Sequence, residues 1–303
     1  MKNPLRGRSL VSIGELSKEE ILLILRRAEE MKKKGPNEDL KGKILASCFF
    51  EPSTRTRLSF EAAMLRLGGN VIGFADCIST STAKGETLHD SIKVIGHYAD
   101  LLVIRHPKEG SARLAAESTS KPVINAGDGA NQHPTQTLVD LFTIKECQGK
   151  LKGIHLALIG DLKHSRTVHS LSLAAAHFDM RLFFVSPDQL TLPDEIGHCL
   201  KKQGVKFSFH RTIEEVMGKI DIAYMTRIQK ERFDPSLGKE FKETMILTEK
   251  MLEKAKDHLC VLHPLPRVGE IEIGVDATPH AYYFEQAENG LYVRMALLSL
   301  ILE

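Results

Sequence analysis

Short apolar runs typical of β-strands alternate with helix-period segments along this chain of 303 residues. Such alternation predicts parallel sheets covered by helices. The length suits two domains rather than one compact core. We therefore predict an α/β fold with two doubly wound parallel-sheet domains. The predicted strands are residues 44–50, 71–74, 101–105, 123–126, 154–159, 182–185, 220–226 and 259–263.

The domain boundary is predicted along a helix in the middle of the chain. This helix begins at Pro134, because proline is favoured at a first helical position, and it ends near Gln148, before Gly149. Residues 284–303 have helical spacing and could pack on either domain; of these, 285–303 are assigned to the first. The other assignments are 1–134 to the first domain, 135–149 to the connecting helix and 150–284 to the second domain.

Composition and charge limit the class of protein. The 41 basic and 39 acidic residues are spread along the chain, which leaves no electrostatic footprint for nucleic acid. No apolar stretch is long enough to cross a bilayer, and no signal peptide is evident. The five cysteines lack C-x-x-C spacing, and we interpret Cys48 and Cys260 as buried apolar fillers. We expect a soluble, cytoplasmic protein that binds neither nucleic acid nor a membrane and holds no metal.

A run of alternating hydroxyl and guanidinium groups follows the first predicted strand. The run, Ser53-Thr54-Arg55-Thr56-Arg57, lies where a helix is expected to begin. The first N–H groups of a helix have no partner within it, and the macrodipole adds partial positive charge there. Arginine can grip phosphate or carboxylate with two parallel hydrogen bonds. The run predicts a phosphate pocket, although a serine cap followed by solvated arginines would give the same residues.

Polar residues also follow the other strands predicted for the first domain, in segments 79–85, 105–107 and 127–136. In doubly wound sheets, ligands bind beyond the carboxyl ends of the strands, and we expect the active site in the cleft between the two domains. Taken singly, these residues are weak signals, since each is also common in solvated loops, ion pairs or helix caps. Together they predict a site for an anionic, phosphate-like ligand.

The second half carries a matching set of residues after its own strands. Arg166 lies at another predicted helix start, and Arg227 and Gln229 follow a strand, which suits a dicarboxylate. The prolines of 263–267 keep the backbone out of a helix, so its carbonyls can face a ligand amine. There is no P-loop, dinucleotide fingerprint, zinc-protease motif or nucleophile elbow. We therefore expect direct attack between two bound substrates, accelerated by positioning and preorganised charge.

Four of these motifs, residues 49–57, 105–107, 133–136 and 263–266, together resemble the transcarbamoylases. The segment 225–232 resembles the members that act on aspartate, and the S-M-G and H-C-L-P segments expected of the ornithine type do not occur. The resemblance implies transfer of the carbamoyl group of carbamoyl phosphate to the amino group of L-aspartate. That reaction is an early step of pyrimidine synthesis and uses no cofactor.

The resemblance also implies a role for each matching residue. Catalytic roles fall to Arg55, Thr56, Lys84, Arg105 and His133. Carbamoyl phosphate would be bound by Ser53, Thr54, Arg55, Thr56, Ser81, Arg105, His133, Gln136, Leu265 and Pro266, the last two through backbone carbonyls. Aspartate would be bound by Lys84, Arg166, Arg227 and Gln229.

Quaternary structure follows from the resemblance as well. In the family, the loop with Ser81 and Lys84 enters the active site of a neighbouring subunit, which implies a homotrimer with shared sites. The resemblance also allows a separate regulatory chain as a partner. The loop from Ser79 to Lys84 is one residue shorter here than in the enterobacterial enzyme. The alternatives are a transcarbamoylase with another acceptor amine, or a non-catalytic paralogue, which would be expected to lack Lys84, Arg105 or His133.

Overall fold

The chain folds into two compact units, each built on one parallel sheet. The computed structural model describes residues 3–76, 80–227 and 245–303. One unit comprises Met1–Phe142 with Glu288–Glu303, and the other comprises Thr143–Ala287. The strand pairings of both sheets are parallel throughout. The predicted α/β fold with two parallel-sheet domains is confirmed.

The first unit holds a four-stranded sheet in the order β2-β1-β3-β4. Strands β1 to β4 are Ile44–Phe49, Asn70–Phe74, Leu101–His106 and Val123–Asp128. Helices α1 to α5 are Lys18–Lys34, Thr54–Arg66, Leu88–Ile95, Ser111–Ser118 and Pro134–Gln148. The helix predicted from Pro134 to about Gln148 is thus confirmed as α5.

The second unit holds a five-stranded sheet in the order β7-β6-β5-β8-β9. Strands β5 to β9 are His155–Ile159, Arg181–Val185, Phe207–His210, Ile222–Met225 and Cys260–Leu262. Helices α6 to α9 are Arg166–Ala175, Asp194–Lys202, Glu249–Leu252 and Tyr283–Leu302, the last of which ends in the first unit. Among the described residues, no helix is both long and apolar enough to span a bilayer.

Burial on both faces explains the apolar runs of the first sheet. Every residue of β4 is buried, as are all but the first of β1. One apolar cluster joins Ala46 and Leu102 of the sheet to Ile92 of α3 and Ala112 of α4. Parallel strands that are covered by helices on both faces have sequences that are apolar almost throughout.

Edge strand β7 is not among the strands predicted from the sequence. It has four residues, none of them fully buried, so it lacks the apolar run that marks the central strands. Two of its side chains instead contact one ring of β6. The centroids of Phe207 and Phe209 lie 5.7 and 5.5 Å from that of Phe184. An edge strand held by ring contacts on one face leaves only a short alternating pattern in the sequence.

Register places the ends of neighbouring strands side by side. Phe49 of β1 pairs with Arg105 of β3, and His106 pairs with Asp128 of β4. The segments that follow β1 and β4 therefore leave the sheet beside Arg105. In the second sheet, Ile159 of β5 pairs with Met225 of β8. Each sheet thus gathers its polar, post-strand segments at one edge, where α/β proteins bind ligands.

Candidate active site

The N-terminus of α2 is left open by its own cap residue. Ser53 occupies the cap position, but its side chain makes no capping hydrogen bond within the described chain. Helices α1 and α3, by contrast, are capped: Ser17 accepts a hydrogen bond from Glu20 N, and Thr87 accepts one from Asp90 N. The first N–H groups of α2 therefore keep their hydrogen-bonding capacity and partial positive charge for an anion.

The two arginines of α2 differ in their partners. Arg57 Nη1 lies 3.4 Å from Glu61 Oε1, one turn further along the helix. The guanidinium of Arg55 makes no hydrogen bond or ion pair with the residues that the structure describes, and burial lowers its pKa. Thr54 is exposed and Thr56 is buried on either side of it. Arg55 can therefore take up the charge of a ligand, whereas Arg57 is already paired.

Arg105 lies at the carboxyl end of β3 and is largely buried. Its side chain is 12% exposed, and its Nε lies 3.4 Å from Glu51 Oε2. Its Nη1 donates to Ala126 O at 3.3 Å. A phosphate oxygen is a stronger acceptor for a guanidinium than a backbone carbonyl, because both partners are then charged.

A buried aspartate, not singled out from the sequence, holds the loop between β4 and α5. Asp128 accepts hydrogen bonds from Asn125 Nδ2 at 2.9 Å, Asn131 Nδ2 at 3.0 Å and Gln132 N at 3.2 Å. Gln132 immediately precedes His133, so these hydrogen bonds to Asp128 fix the position of His133 relative to the end of β4. The available signal was the pair of polar residues, Asn125 and Asp128, in an otherwise apolar strand.

His133 and Gln136 lie at the start of α5. His133 is 4% exposed, and its carbonyl accepts a hydrogen bond from Gln136 N at 3.0 Å, which closes the first turn. The Gln136 amide donates through Nε2 to Asp140 Oδ1 at 2.8 Å. Because Nε2 donates to Asp140, the amide oxygen Oε1 of Gln136 can accept a hydrogen bond from a ligand N–H.

Ser81 and Lys84 lie in a short 3-10 turn between β2 and α3, and both are exposed. The Lys84 ammonium makes no hydrogen bond or ion pair in the part of the chain that is described. No contact there joins it to Arg55, Arg105 or His133. An unpaired cation on an exposed turn is suited to contact with another molecule.

A glycine allows β5 and β8 to end close together in the second unit. At Gly160 the backbone has φ of 116°, and a Cβ atom would lie 2.6 Å from Thr226 O. Thr226 Oγ1 donates to Ile159 O at 2.9 Å, which ties the two strand ends further. Arg227, the next residue, is half-buried at this edge. Gln229 lies outside the described residues.

The start of α6 repeats the arrangement seen at α2. Ser165 occupies the cap position without a capping hydrogen bond among the described residues; its Oγ lies 3.1 Å from Thr167 Oγ1 instead. Arg166 is the first helical residue and is half-buried. An arginine beside an uncapped helix start is again suited to a carboxylate.

The segment after β9 has a backbone shape that side chains hold in place. Leu265 has φ of 53°, which is uncommon for a residue with a branched side chain, and its bond to Pro266 is cis. Leu265 N donates to His263 Nδ1 at 2.8 Å, so His263 Nε2 carries the proton that it donates to Glu270 Oε1 at 2.7 Å. Burial alone would raise the pKa of Glu270, but hydrogen bonds from His263 and Val268 N lower it.

The two units thus each present an arginine beside an uncapped helix start at the carboxyl edge of a parallel sheet. Together these features define a two-domain α/β protein built to bind anionic ligands. Two family models match the chain: the carbamoyl-phosphate-binding domain of aspartate/ornithine carbamoyltransferase at residues 8–146, and the aspartate/ornithine-binding domain at 152–301. The chain belongs to the aspartate/ornithine carbamoyltransferase family.

The similarity to relatives and to solved structures covers nearly the whole length of the chain. The aspartate carbamoyltransferase catalytic subunit of Vibrio vulnificus strain CMCP6 is 57% identical, covering 100% of this chain and 99% of that protein. The catalytic subunit of M. jannaschii aspartate transcarbamoylase is 50% identical with a TM-score of 0.91, covering 96% and 97% of the two chains. Aspartate transcarbamoylase of Trypanosoma cruzi, solved with carbamoyl phosphate and aspartate, is 39% identical with a TM-score of 0.94, covering 99% and 98%.

Proposed function

We propose that this chain transfers the carbamoyl group of carbamoyl phosphate to the amino group of L-aspartate. The products are N-carbamoyl-L-aspartate and inorganic phosphate, as in pyrimidine biosynthesis. The proposal rests on the open N-terminus of α2 beside Arg55, whose guanidinium has no partner among the described residues, in a chain that matches aspartate carbamoyltransferase catalytic subunits over its full length.

The phosphate is bound at the start of α2. N–H groups at Ser53, Thr54 and Arg55 supply donors, and the guanidinium of Arg55 supplies charge. Arg105 exchanges its long contacts for phosphate oxygens. Residues 1–134 and 285–303 then form the carbamoyl phosphate domain, and 150–284 form the aspartate domain, joined by helix 135–149.

The carbamoyl carbonyl is polarised by three donors. Thr56, Arg105 and His133 donate hydrogen bonds to the carbonyl oxygen, where negative charge grows as the tetrahedral intermediate forms. Gln136 Oε1 accepts from the carbamoyl nitrogen, because its Nε2 is held by Asp140. The carbonyls of Leu265 and Pro266 accept from the amine and carbamoyl N–H groups.

Aspartate is bound through its carboxylates by Arg166, Arg227 and Gln229, with Lys84 between the two substrates. The free amine of aspartate attacks the carbamoyl carbon, the bond to phosphate oxygen breaks, and phosphate leaves. The departing phosphate takes the amine proton, so no separate protein base is required. Rate enhancement comes from positioning and from charge that is already in place.

Replacing His133 with alanine is expected to lower kcat by about 10²-fold, the typical loss when one oxyanion donor is removed, with a much smaller change in carbamoyl phosphate binding. The physical reason is that the hydrogen bond strengthens only as charge develops. Steady-state kinetics and binding of carbamoyl phosphate to the variant check this. Equal losses in kcat and in binding would remove His133 from the oxyanion role.

Lys84 is exposed, and its ammonium has no partner among the described residues. This supports a homotrimer with shared sites, in which Ser81 and Lys84 serve a neighbouring subunit. Lys84→Ala and Arg55→Ala chains should each be nearly inactive alone. Mixed and reassociated in equal amounts, they should regain about one quarter of the wild-type activity, because three in four trimers are mixed and each holds one complete site of three. No recovery from trimers of confirmed mixed composition would contradict shared sites.

Five scattered cysteines without a disulfide framework support a reducing, cytoplasmic setting. Similarity to proteins named catalytic subunits supports a separate regulatory chain as a further partner.

Acceptor choice tests the proposed reaction. Carbamoyl phosphate is supplied to the purified chain with L-aspartate or L-ornithine in parallel assays. Turnover with aspartate alone is the expected result. Turnover with ornithine would overturn the assignment of Arg227 and Gln229 to a dicarboxylate.

A further inference from the structure

The amide of Gln136 is held by a buried carboxylate, Asp140, which lies one turn further along α5. Asp140 is 0% exposed, and its Oδ1 accepts a hydrogen bond from Gln136 Nε2 at 2.8 Å. Gln136 is half-buried, and its Oε1 accepts no hydrogen bond from the residues that the structure describes. An ionised carboxylate can only accept hydrogen bonds, so Asp140 binds the nitrogen end of this amide and never its oxygen end.

Without Asp140, the Gln136 amide would have two orientations of similar energy. The last torsion angle of a glutamine side chain is broad and nearly two-fold, and the amide oxygen and nitrogen exchange places when it turns over. With Asp140 in place, the turned amide would lose the 2.8 Å hydrogen bond and set its oxygen against the carboxylate. Hydrogen bonds to an ionised acceptor are about twice as strong as neutral ones. Asp140 therefore fixes Gln136 as a hydrogen-bond acceptor toward a ligand.

A buried arginine supplies positive charge on the same side of α5. Arg294 of α9 is 4% exposed, and its guanidinium carbon lies 5.1 Å from the ring centroid of Phe60. The glycine at 290 leaves room for Arg294 Nη1 beside Val139, since a Cβ atom there would overlap that nitrogen and lie 3.8 Å from Val139 Cγ2. Burial lowers the pKa of Arg294 to about 10 against the opposing effect of Asp140, so the guanidinium stays charged at neutral pH. Buried charges of opposite sign stabilise each other in this way.

We propose that Asp140 is a specificity-determining residue that makes the site prefer a carbamoyl group to an acetyl group; this inference rests on the proposed function. The two groups have the same shape, but carbamoyl has an NH2 group where acetyl has a methyl group. Gln136 Oε1 accepts a hydrogen bond from the NH2 group, whereas a methyl group leaves this oxygen without a donor. A site built around such a hydrogen bond rejects the analogue that lacks it. Asp140 acts through Gln136 and is therefore a positioning residue.

Two hydrolytically stable analogues of the acyl phosphates test the proposal with the full-length protein. Phosphonoacetamide ends in a carboxamide, and 2-oxopropylphosphonate has a methyl group in place of the amide NH2 group. Isothermal titration calorimetry should show that the wild type binds the amide about 10- to 100-fold more tightly than the ketone. In Asp140→Asn this ratio should fall below about threefold, because either end of the new amide can bond to Gln136. Methylphosphonate, which has neither group, should bind both proteins equally.

Two further variants separate positioning from stability. Gln136→Met should also remove the preference for the amide, and adding Asp140→Asn to it should change the ratio no further, because Asp140 acts only through Gln136. If the unpaired charge of Arg294 prevents the single Asp140→Asn variant from folding, Asp140→Asn/Arg294→Met removes both buried charges and gives the same readout.

An unchanged ratio in an Asp140→Asn protein that is folded by circular dichroism would overturn the proposal. So would an equal loss of affinity for all three phosphonates, which indicates a structural role, or a wild type that binds the amide and the ketone equally. Turnover of carbamoyl phosphate with aspartate is measured on the same wild-type preparation. Turnover without a preference for the amide contradicts this inference alone, whereas a preference that depends on Asp140 without turnover contradicts the proposed function.

Discussion

Replacing Arg55 with alanine is expected to lower kcat by about 10²- to 10³-fold, the usual loss when a preorganised charge at the reacting group is removed. The free energy of unfolding should change by less than about 0.5 kcal/mol, because Arg55 has no partner in the described chain to leave unsatisfied. Steady-state kinetics, with urea denaturation of the same preparation, measures both quantities.

Arg57→Ala is the matched control for this experiment. Arg57 lies two residues further along α2 and is paired with Glu61 at 3.4 Å. Its removal should change kcat by less than about threefold, and a half-exposed helix pair contributes only about 0.3–0.5 kcal/mol to stability. If the two variants lost activity equally, the distinction between a ligand-binding and a structural arginine would be wrong.

Arg227→Ala is expected to raise the KM for aspartate by about 10- to 100-fold while leaving the binding of carbamoyl phosphate unchanged. The expected size corresponds to the loss of charge-assisted hydrogen bonds of about 1.5–3 kcal/mol. Initial rates over a matrix of both substrate concentrations separate the two effects.

Arg211→Ala provides the control within the same unit. Arg211 is exposed, and its Nη2 lies 2.8 Å from Asp188 Oδ2. This variant should show wild-type kinetics. Unchanged aspartate kinetics in Arg227→Ala, or a comparable rise in Arg211→Ala, would contradict the assignment of Arg227 to the aspartate site.

The first-unit site was predictable from the sequence because its residues follow strands directly. In a parallel sheet, strand ends share one edge, so the sequence alone groups Arg55 with Arg105. The sequence did not distinguish Arg55 from Arg57, since both alternate with hydroxyl residues. Only the contact between Arg57 and Glu61 separates them.

Other features depend on contacts between distant segments. Glu270 holds His263 through a hydrogen bond of 2.7 Å, and Asp128 gathers donors from the β4–α5 loop. Cys260 is buried as expected, and its sulfur lies 3.5 Å from Gln148 Nε2, a residue 112 positions earlier in the chain. Such pairs leave no periodicity or spacing in the sequence, because burial and hydrogen bonding arise only when the chain has folded.

The most direct test of the central claim is product analysis with the purified chain, using carbamoyl phosphate labelled in the carbamoyl carbon and L-aspartate. One labelled N-carbamoyl-L-aspartate for each phosphate released is the expected result. Phosphate released without labelled N-carbamoyl-L-aspartate would contradict it.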